Sequence, residues 1–188
     1  MIPSVDRFET ARLLAERLTP DHLPDLHQMH QDPSHMEFIG GLRDAAGTSA
    51  YLDRNLRHWD EHGFGLWILR DRETGRVAGR ALLRHLDIDG ADEVETGYGF
   101  HPEYWGRGLA TETTIACLRL GYDGLGLRTI VAVTDPRNLA SHRVLAKSGM
   151  FLDRELLLDG APQLLYRSIP PSQARGEHGS HRGSPLDR

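Results

Sequence analysis

The sequence predicts a mixed α/β domain, and three observations carry that expectation. The chain has 188 residues, 39% of them hydrophobic, which suits a single core. Its apolar spacing is helical near the N-terminus, strand-like from about residue 65, and helical again after a glycine-rich loop and after an asparagine. The resulting order, β-α-α-β-β-β-α-β-α-β-β, fits a central sheet covered by helices.

Each element has a local reason. Residues 10–18 (TARLLAERL) read as a strand with a short apolar centre. Thr19-Pro20 offers an N-cap and a proline at the first helical position. Leu23, Leu26 and Met29 or His30 keep helical spacing until Asp32-Pro33 stops it. After Gly40-Gly41, Ser49 is expected to cap a second helix reaching about His62, with Leu52, Leu56 and Trp59 on one face and Gly63 at its end. Residues 65–70 and 76–84 read as strands joined by a turn, and residues 93–100 as a third strand. Residues 106–110 form a glycine-rich loop that opens a helix to about Tyr122. The apolar run 129–133 (TIVAV) suits a strand buried on both faces. Residues 138–148 read as a helix closed by Gly149, and residues 151–158 and 163–168 as a hairpin turning at Asp159-Gly160. One domain is expected over residues 1–169. Residues 170–188 carry little to bury and are expected to be a flexible tail.

Composition excludes several classes. A net charge of −5 argues against a nucleic-acid groove. The single cysteine, Cys117, excludes an internal disulfide and a thiolate zinc site, and suits a reducing, cytoplasmic compartment. Asp6, Arg7, Glu9 and Arg12 interrupt any signal-like run near Met1. No stretch approaches the roughly 18–20 apolar residues of a membrane span. A soluble protein with no membrane partner is expected.

The strongest motif is His101-Pro102-Glu103-Tyr104-Trp105-Gly106-Arg107-Gly108-Leu109-Ala110-Thr111-Glu112. A strand ends at proline, two glycines follow, and a helix begins. Consecutive backbone N–H groups at such a helix start suit a pyrophosphate. No Walker loop occurs, and position 111 is threonine where a dinucleotide fingerprint needs its third glycine. One strand later, Asn138 and Ser141 open the next helix, either as a cap alone or as groups facing an extended polar ligand.

In this order and spacing, these features resemble the GCN5-related N-acetyltransferases (GNAT) over about residues 10–168. The family's Gln/Arg-x-x-Gly-x-Gly/Ala loop matches Trp105 to Ala110, with tryptophan in place of the usual first residue. The Ala-Thr-Glu continuation, the opening TARLLAERLTPDH and Asn138-x-x-Ser141 are similar to the RimJ/RimL branch. The resemblance implies a mostly antiparallel mixed sheet with two splayed parallel strands and flanking helices. It implies acetyl-CoA as co-substrate and, as acceptor, a protein N-terminal α-amine or an amine-bearing small molecule, the enzyme acting alone or as a homodimer. Carried over by position, it assigns the Phe100 backbone to the pantetheine arm and thioester carbonyl, and the N–H groups of Arg107, Gly108, Leu109, Ala110 and Thr111 to the pyrophosphate. Asn138 and Ser141 would touch the pantetheine end. Relatives often place a tyrosine acid where this chain has Leu145, so that role is vacant or Ser141, with or without water, takes it. Glu95 occupies the position of the family's general base; a strand-pairing carboxylate is its other reading. Glu112 reads as structural.

Three further features compete. His58-x-x-Glu61-His62 matches an inverted zinc-peptidase pattern, but Gly63 ends the helix at once and no third ligand is evident, so no metal is expected. Cys117 reads as core. Trp59, Trp67 and Phe64 read as core or as the wall of an acceptor pocket. A CoA-binding module without catalysis is the rival from another class.

Overall fold

Eight strands in one sheet order residues 5–170, the part of the chain that the computed structural model describes. They are β1 (Arg7–Glu9), β2 (Leu13–Arg17), β3 (Leu66–Asp71), β4 (Val77–Ile88), β5 (Ala91–Phe100), β6 (Ile130–Thr134), β7 (Phe151–Leu158) and β8 (Ala161–Ser168). Their spatial order is β1-β2-β3-β4-β5-β6-β8-β7. All neighbours run antiparallel except β5 and β6. Helices α1 (Leu23–Gln31), α2 (Pro33–Met36) and α3 (Ala45–His62) lie between β2 and β3. Helix α4 (Leu109–Arg119) makes the long crossover that a parallel pair requires, and α5 (Leu139–Lys147) follows β6. The expected fold class is the one found. The tail expected over residues 170–188 lies, from residue 171 on, outside the described residues.

Local chemistry explains where boundaries differ from the sequence reading. The strand expected over residues 10–18 is broken at its start. Thr10 N–H donates to the Leu13 carbonyl at 2.9 Å, and its Oγ1 accepts from Leu13 N–H at 3.0 Å. That turn folds Arg7–Glu9 back as β1, so Phe8 pairs with Ala15. Helix α3 starts earlier than Ser49, because Asp44 Oδ1 accepts from Gly47 N–H at 2.7 Å and Ala45-Ala46 extend the helix readily. At the sheet's two Asp-Gly hairpins, Asp89 and Asp159 themselves adopt positive φ (53° and 50°), as a primed turn requires.

The β4–β5 ladder sorts the site's side chains onto two faces. Arg80, Leu82 and Arg84 stand opposite Gly99, Gly97 and Glu95. This face lies under α1–α3, since a Cβ on Gly99 would come within 2.9 Å of the His35 ring. Thr96 and Tyr98, one residue out of phase, face α4 and α5. Tyr98 there hydrogen-bonds Ser141. The core includes Trp59, Trp67 and Phe64, all buried. The two indoles pack edge to face with centroids 5.3 Å apart. Cys117 is fully buried, and burial pushes its thiol up to about 12. Among the described residues no helix is long and apolar enough to cross a membrane.

Candidate active site

The parallel strands part almost as soon as they meet. β5 and β6 are in register only at Glu95 and Val131. Beyond that point β5 stays on β4 through Phe100, and β6 stays on β8 through Thr134. His101 N–H donates to the Ala78 carbonyl at 2.9 Å. By the two-residue alternation of an antiparallel ladder, the backbone groups of Phe100 and Tyr98 therefore point away from β4, into the opening. An extended ligand with amide groups can complete such an edge as a strand would.

The Phe100 carbonyl is already taken. Trp105 donates its indole N–H to it at 2.8 Å, and His35 Nδ1 lies 3.1 Å away. A carbonyl only accepts, so the proton of His35 is on Nδ1 and its Nε2 carries a lone pair. Burial first, and then the Arg80 charge, pull this imidazole down to about 4, which keeps it neutral. The Phe100 N–H is left at the cleft, together with the backbone groups of Tyr98.

The loop after β5 presents a row of backbone donors. Gly106 and Gly108 hold φ of 71° and 76° on either side of Arg107, a conformation that β-carbons disfavour. Gly108 caps α4 with no side chain, and the first helical bond runs from Glu112 N–H to the Gly108 carbonyl at 3.1 Å. The N–H groups of Leu109, Ala110 and Thr111 thus lack helical acceptors and point off the helix end. Arg12 fastens this loop to the start of β2. It donates to the Arg107 carbonyl at 2.7 Å and to Glu112 at 2.7 and 2.8 Å. Burial works to raise the Glu112 carboxyl, yet hydrogen bonds from Thr10 and Arg12 hold it below the usual range. Glu112 is a buckle for the loop. The Arg107 guanidinium stacks on Tyr104, 5.3 Å from the ring centre.

Across the opening stands α5. Asn138 caps it, its Oδ1 accepting from Ser141 N–H at 3.1 Å, which leaves the Asn138 amide N–H groups uncommitted by the cap. Tyr98 donates its hydroxyl to Ser141 Oγ at 3.1 Å, bridging β5 and α5. Burial pushes the Tyr98 phenol up to about 12, so it stays protonated. Leu145, at the family's tyrosine position, is buried. Glu95 is buried on the opposite face and paired with Arg84, whose Nε and Nη2 both lie 2.8 Å from Oε2. The Glu95 charge, working against burial, raises the already high guanidinium pKa of Arg84. The structure brings together Phe100, Leu109–Thr111 and the Asn138–Ser141 pair around one cleft, and sets Glu95 on the other side of β5.

Sequence reasoning missed Tyr98, Arg12, His35 and Arg80. Of these, Arg80 left a signal: a lone charge inside the run Val77-Ala-Gly-Arg-Ala-Leu-Leu83. The His58–His62 pair does not fit a metal. His58 Nε2 accepts from His85 N–H at 3.0 Å, and its Nδ1 lies 2.8 Å from the Phe64 carbonyl. Both nitrogens are used, with no lone pair left over.

Comparison with known proteins shows the family. Residues 12–151 match the family model described as an acetyltransferase (GNAT) domain. The protein YkkB of Bacillus subtilis is 32% identical over 138 residues, covering 73% of this chain and 80% of its own. An FsC-acetyl coenzyme A-N(2)-transacetylase of Aspergillus fumigatus is 34% identical over 155 residues, covering 76% and 64%. Among solved structures, an acetyltransferase of Agrobacterium tumefaciens superposes with a TM-score of 0.78 at 25% identity, over 87% of this chain and 94% of that one. RimL, a ribosomal L7/L12 alpha-N-protein acetyltransferase solved with coenzyme A, shares the fold at TM-score 0.71 and 16% identity, over 89% and 97%. With its splayed strands, its glycine-capped helix and a family match across most of its length, the chain belongs to the GNAT acetyltransferases, enzymes that use acetyl-CoA to acylate amines.

Proposed function

We propose that this chain transfers the acetyl group of acetyl-CoA directly to a primary amine, with no covalent acyl-enzyme. The observation that carries the reading is the opening between β5 and β6, with free strand edges, an anion site at one end and the Tyr98–Ser141 pair across it. Acetyl-CoA supplies the acetyl group as a thioester of a thiol with a parent pKa of about 8.5, a ready leaving group. The Phe100 N–H polarises the thioester carbonyl. The N–H groups of Arg107 to Thr111 hold the pyrophosphate, and the Asn138 amide binds the pantetheine end. Glu95 accepts the amine's proton through water at Oε1, because Arg84 occupies Oε2. Ser141 returns a proton to the sulfur. Tyr98 fills one lone pair of Ser141 and so leaves the serine hydrogen free to point into the cleft.

Two kinds of acceptor are in play. The RimJ/RimL-like signature Ala110-Thr111-Glu112 with Asn138-x-x-Ser141 supports a protein N-terminal α-amine. The Aspergillus relative, named as an N(2)-transacetylase, supports a small molecule. The buried thiol of Cys117 supports a cytoplasmic setting. Exposed Phe151, Leu152 and Leu157 on β7 support a homodimer.

Thiol release from acetyl-CoA in the presence of peptides and small amines tests the reading. At least one amine should raise the rate above background hydrolysis, and a chelator should leave it unchanged. Binding of acetyl-CoA without any amine-dependent release would make the chain a CoA-binding module. Activity lost to the chelator and restored by zinc would return His58 and His62 to the site.

A further inference from the structure

On the α1–α3 face of the sheet, opposite the acetyl-CoA cleft, lies a buried polar cluster that the mechanism above does not use. Arg80 is only 3% exposed. It makes no ion pair or hydrogen bond with any described residue, and its Nε is buried without a partner. Three more buried atoms beside it are unpartnered: Tyr51 Oη, His30 Nε2 and His35 Nε2. Tyr51 ties the group together. Its ring centre is 5.5 Å from the Arg80 guanidinium carbon, 5.2 Å from that of Arg43 and 4.8 Å from the centre of the His30 ring. Arg54 adds a third guanidinium at 5.5 Å.

A buried charge is ordinarily paired, because leaving it alone forfeits its hydration with nothing in return. The same strand face shows the contrast. Arg84, four residues along β4, has Glu95, whereas Arg80 has no carboxylate among the described residues. The missing partner is an anion, and the charge around Tyr51 selects for one. Arg80 is the register partner of Gly99, and a Cβ on Gly99 would come within 2.9 Å of the His35 ring. Gly99 precedes Phe100, whose N–H faces the thioester. With the thioester at the Phe100 N–H, as proposed above, an anion on Arg80 lies one residue along β5 from the reacting centre. His35 Nε2, neutral and with its lone pair free, offers that amine a hydrogen-bond acceptor. The face opens towards solvent at Arg84, whose side chain is 35% exposed.

We propose that the acceptor is a small amine with a carboxylate close to its amino group, an amino acid or amino-acid conjugate, whose carboxylate is bound by Arg80 and Tyr51. The inference rests on the acetyl-transfer reading above and names its substrate class. The C–N bond forms as the C–S bond breaks. The amine gives up one proton, and the sulfur leaves with the bonding pair and takes one proton. Polycationic acceptors are repelled by Arg43, Arg54 and Arg80.

The test compares each proteinogenic amino acid with its carboxamide as acceptor, by thiol release and by calorimetry on the CoA-loaded enzyme. At least one acid should show a kcat/KM ten or more times that of its carboxamide. Arg80→Met should remove that preference, leave acetyl-CoA affinity unchanged, and keep or raise the thermal midpoint, because it removes an unpaired buried charge. Arg80→Lys, which keeps the charge, should retain part of the preference. Carboxamides or peptides that match the acids would overturn the proposal, and so would an Arg80→Met enzyme that melts lower with its preference intact. If no amine is turned over, the acetyl-transfer reading fails by itself. The calorimetric arm then still decides the anion site: acids that bind no better than carboxamides refute it.

Discussion

Replacing Glu95 by Gln isolates the proton-removal step. The side chain keeps its shape, and Arg84 keeps a hydrogen-bond acceptor in place of a charge. Glu95 lies four positions before Gly99 on β5, a span of roughly 13 Å at the rise of a strand. As the proposed base, Glu95 would reach the amine through water, so its effect is expected at the low end of the general-base range, about 10²-fold, or about 2.7 kcal/mol of activation free energy. Loss of the ion pair should cost about 1 kcal/mol of stability, because Arg84 is a third exposed and water takes over part of its solvation. The assay is the pH–rate profile of wild type and Glu95→Gln on one accepted amine, with acetyl-CoA affinity and thermal midpoint measured in parallel. An acceptor amine of pKa about 8 is roughly one-tenth neutral at pH 7 and nine-tenths neutral at pH 9, so the mutant should regain about tenfold over that interval. A rate that barely falls would show that the amine arrives already neutral. A deficit that persists unchanged to pH 9 would assign Glu95 to orientation through Arg84, and either result refutes the base.

Two further predictions address the cofactor side. Gly108→Asp should keep the fold, because a Cβ there meets only Arg12 Nη2 at 3.7 Å and Asp tolerates positive φ better than most residues; calorimetry should show acetyl-CoA affinity lowered at least tenfold, and unchanged affinity would remove the loop from the site. Trp105→Phe deletes the indole donor to the Phe100 carbonyl while His35 still holds it, so the melting curve should report a loss of about 0.5–1 kcal/mol and acetyl-CoA affinity should fall several-fold; equal affinity would show that this hydrogen bond does not set the loop.

What the sequence shows and what it hides follow one physical line. Gly106 and Gly108 are readable because their backbone angles restrict residue type, as are the Asp-Gly hairpins, and the Asn138 cap is readable because a helix start needs a short side-chain acceptor. Asp44 and Ser49 are both cap residues, and only the competition between them, settled by Ala45-Ala46, locates the start of α3. Contacts set by register are hidden. Nothing local joins Arg84 to Glu95 until β4 and β5 are aligned, and nothing joins Tyr98 to Ser141, 43 residues on, until α5 is packed over the opening. β1 is hidden because a threonine hydroxyl, rather than a glycine or proline, makes its turn.

The leucine at position 145 is where these two kinds of information meet. Taken along the chain, it removes a tyrosine hydroxyl from the helix that faces the thioester, which argues against catalysis. The fold supplies a tyrosine hydroxyl to the same helix from the opposite bank. Tyr98 extends from β5 and donates to Ser141, four residues before Leu145, so the phenol and the serine together present one hydroxyl at the cleft. Leu145, buried at 2% exposure, is then a packing residue beneath α5. A serine hydroxyl alone is a weak acid, but a hydrogen bond received from a phenol makes its own proton more readily given. That phenol, raised to about 12, remains a donor throughout the working pH range. In the proposed reaction the acid function falls to a pair that spans the opening, and the pair forms only where the two parallel strands have parted.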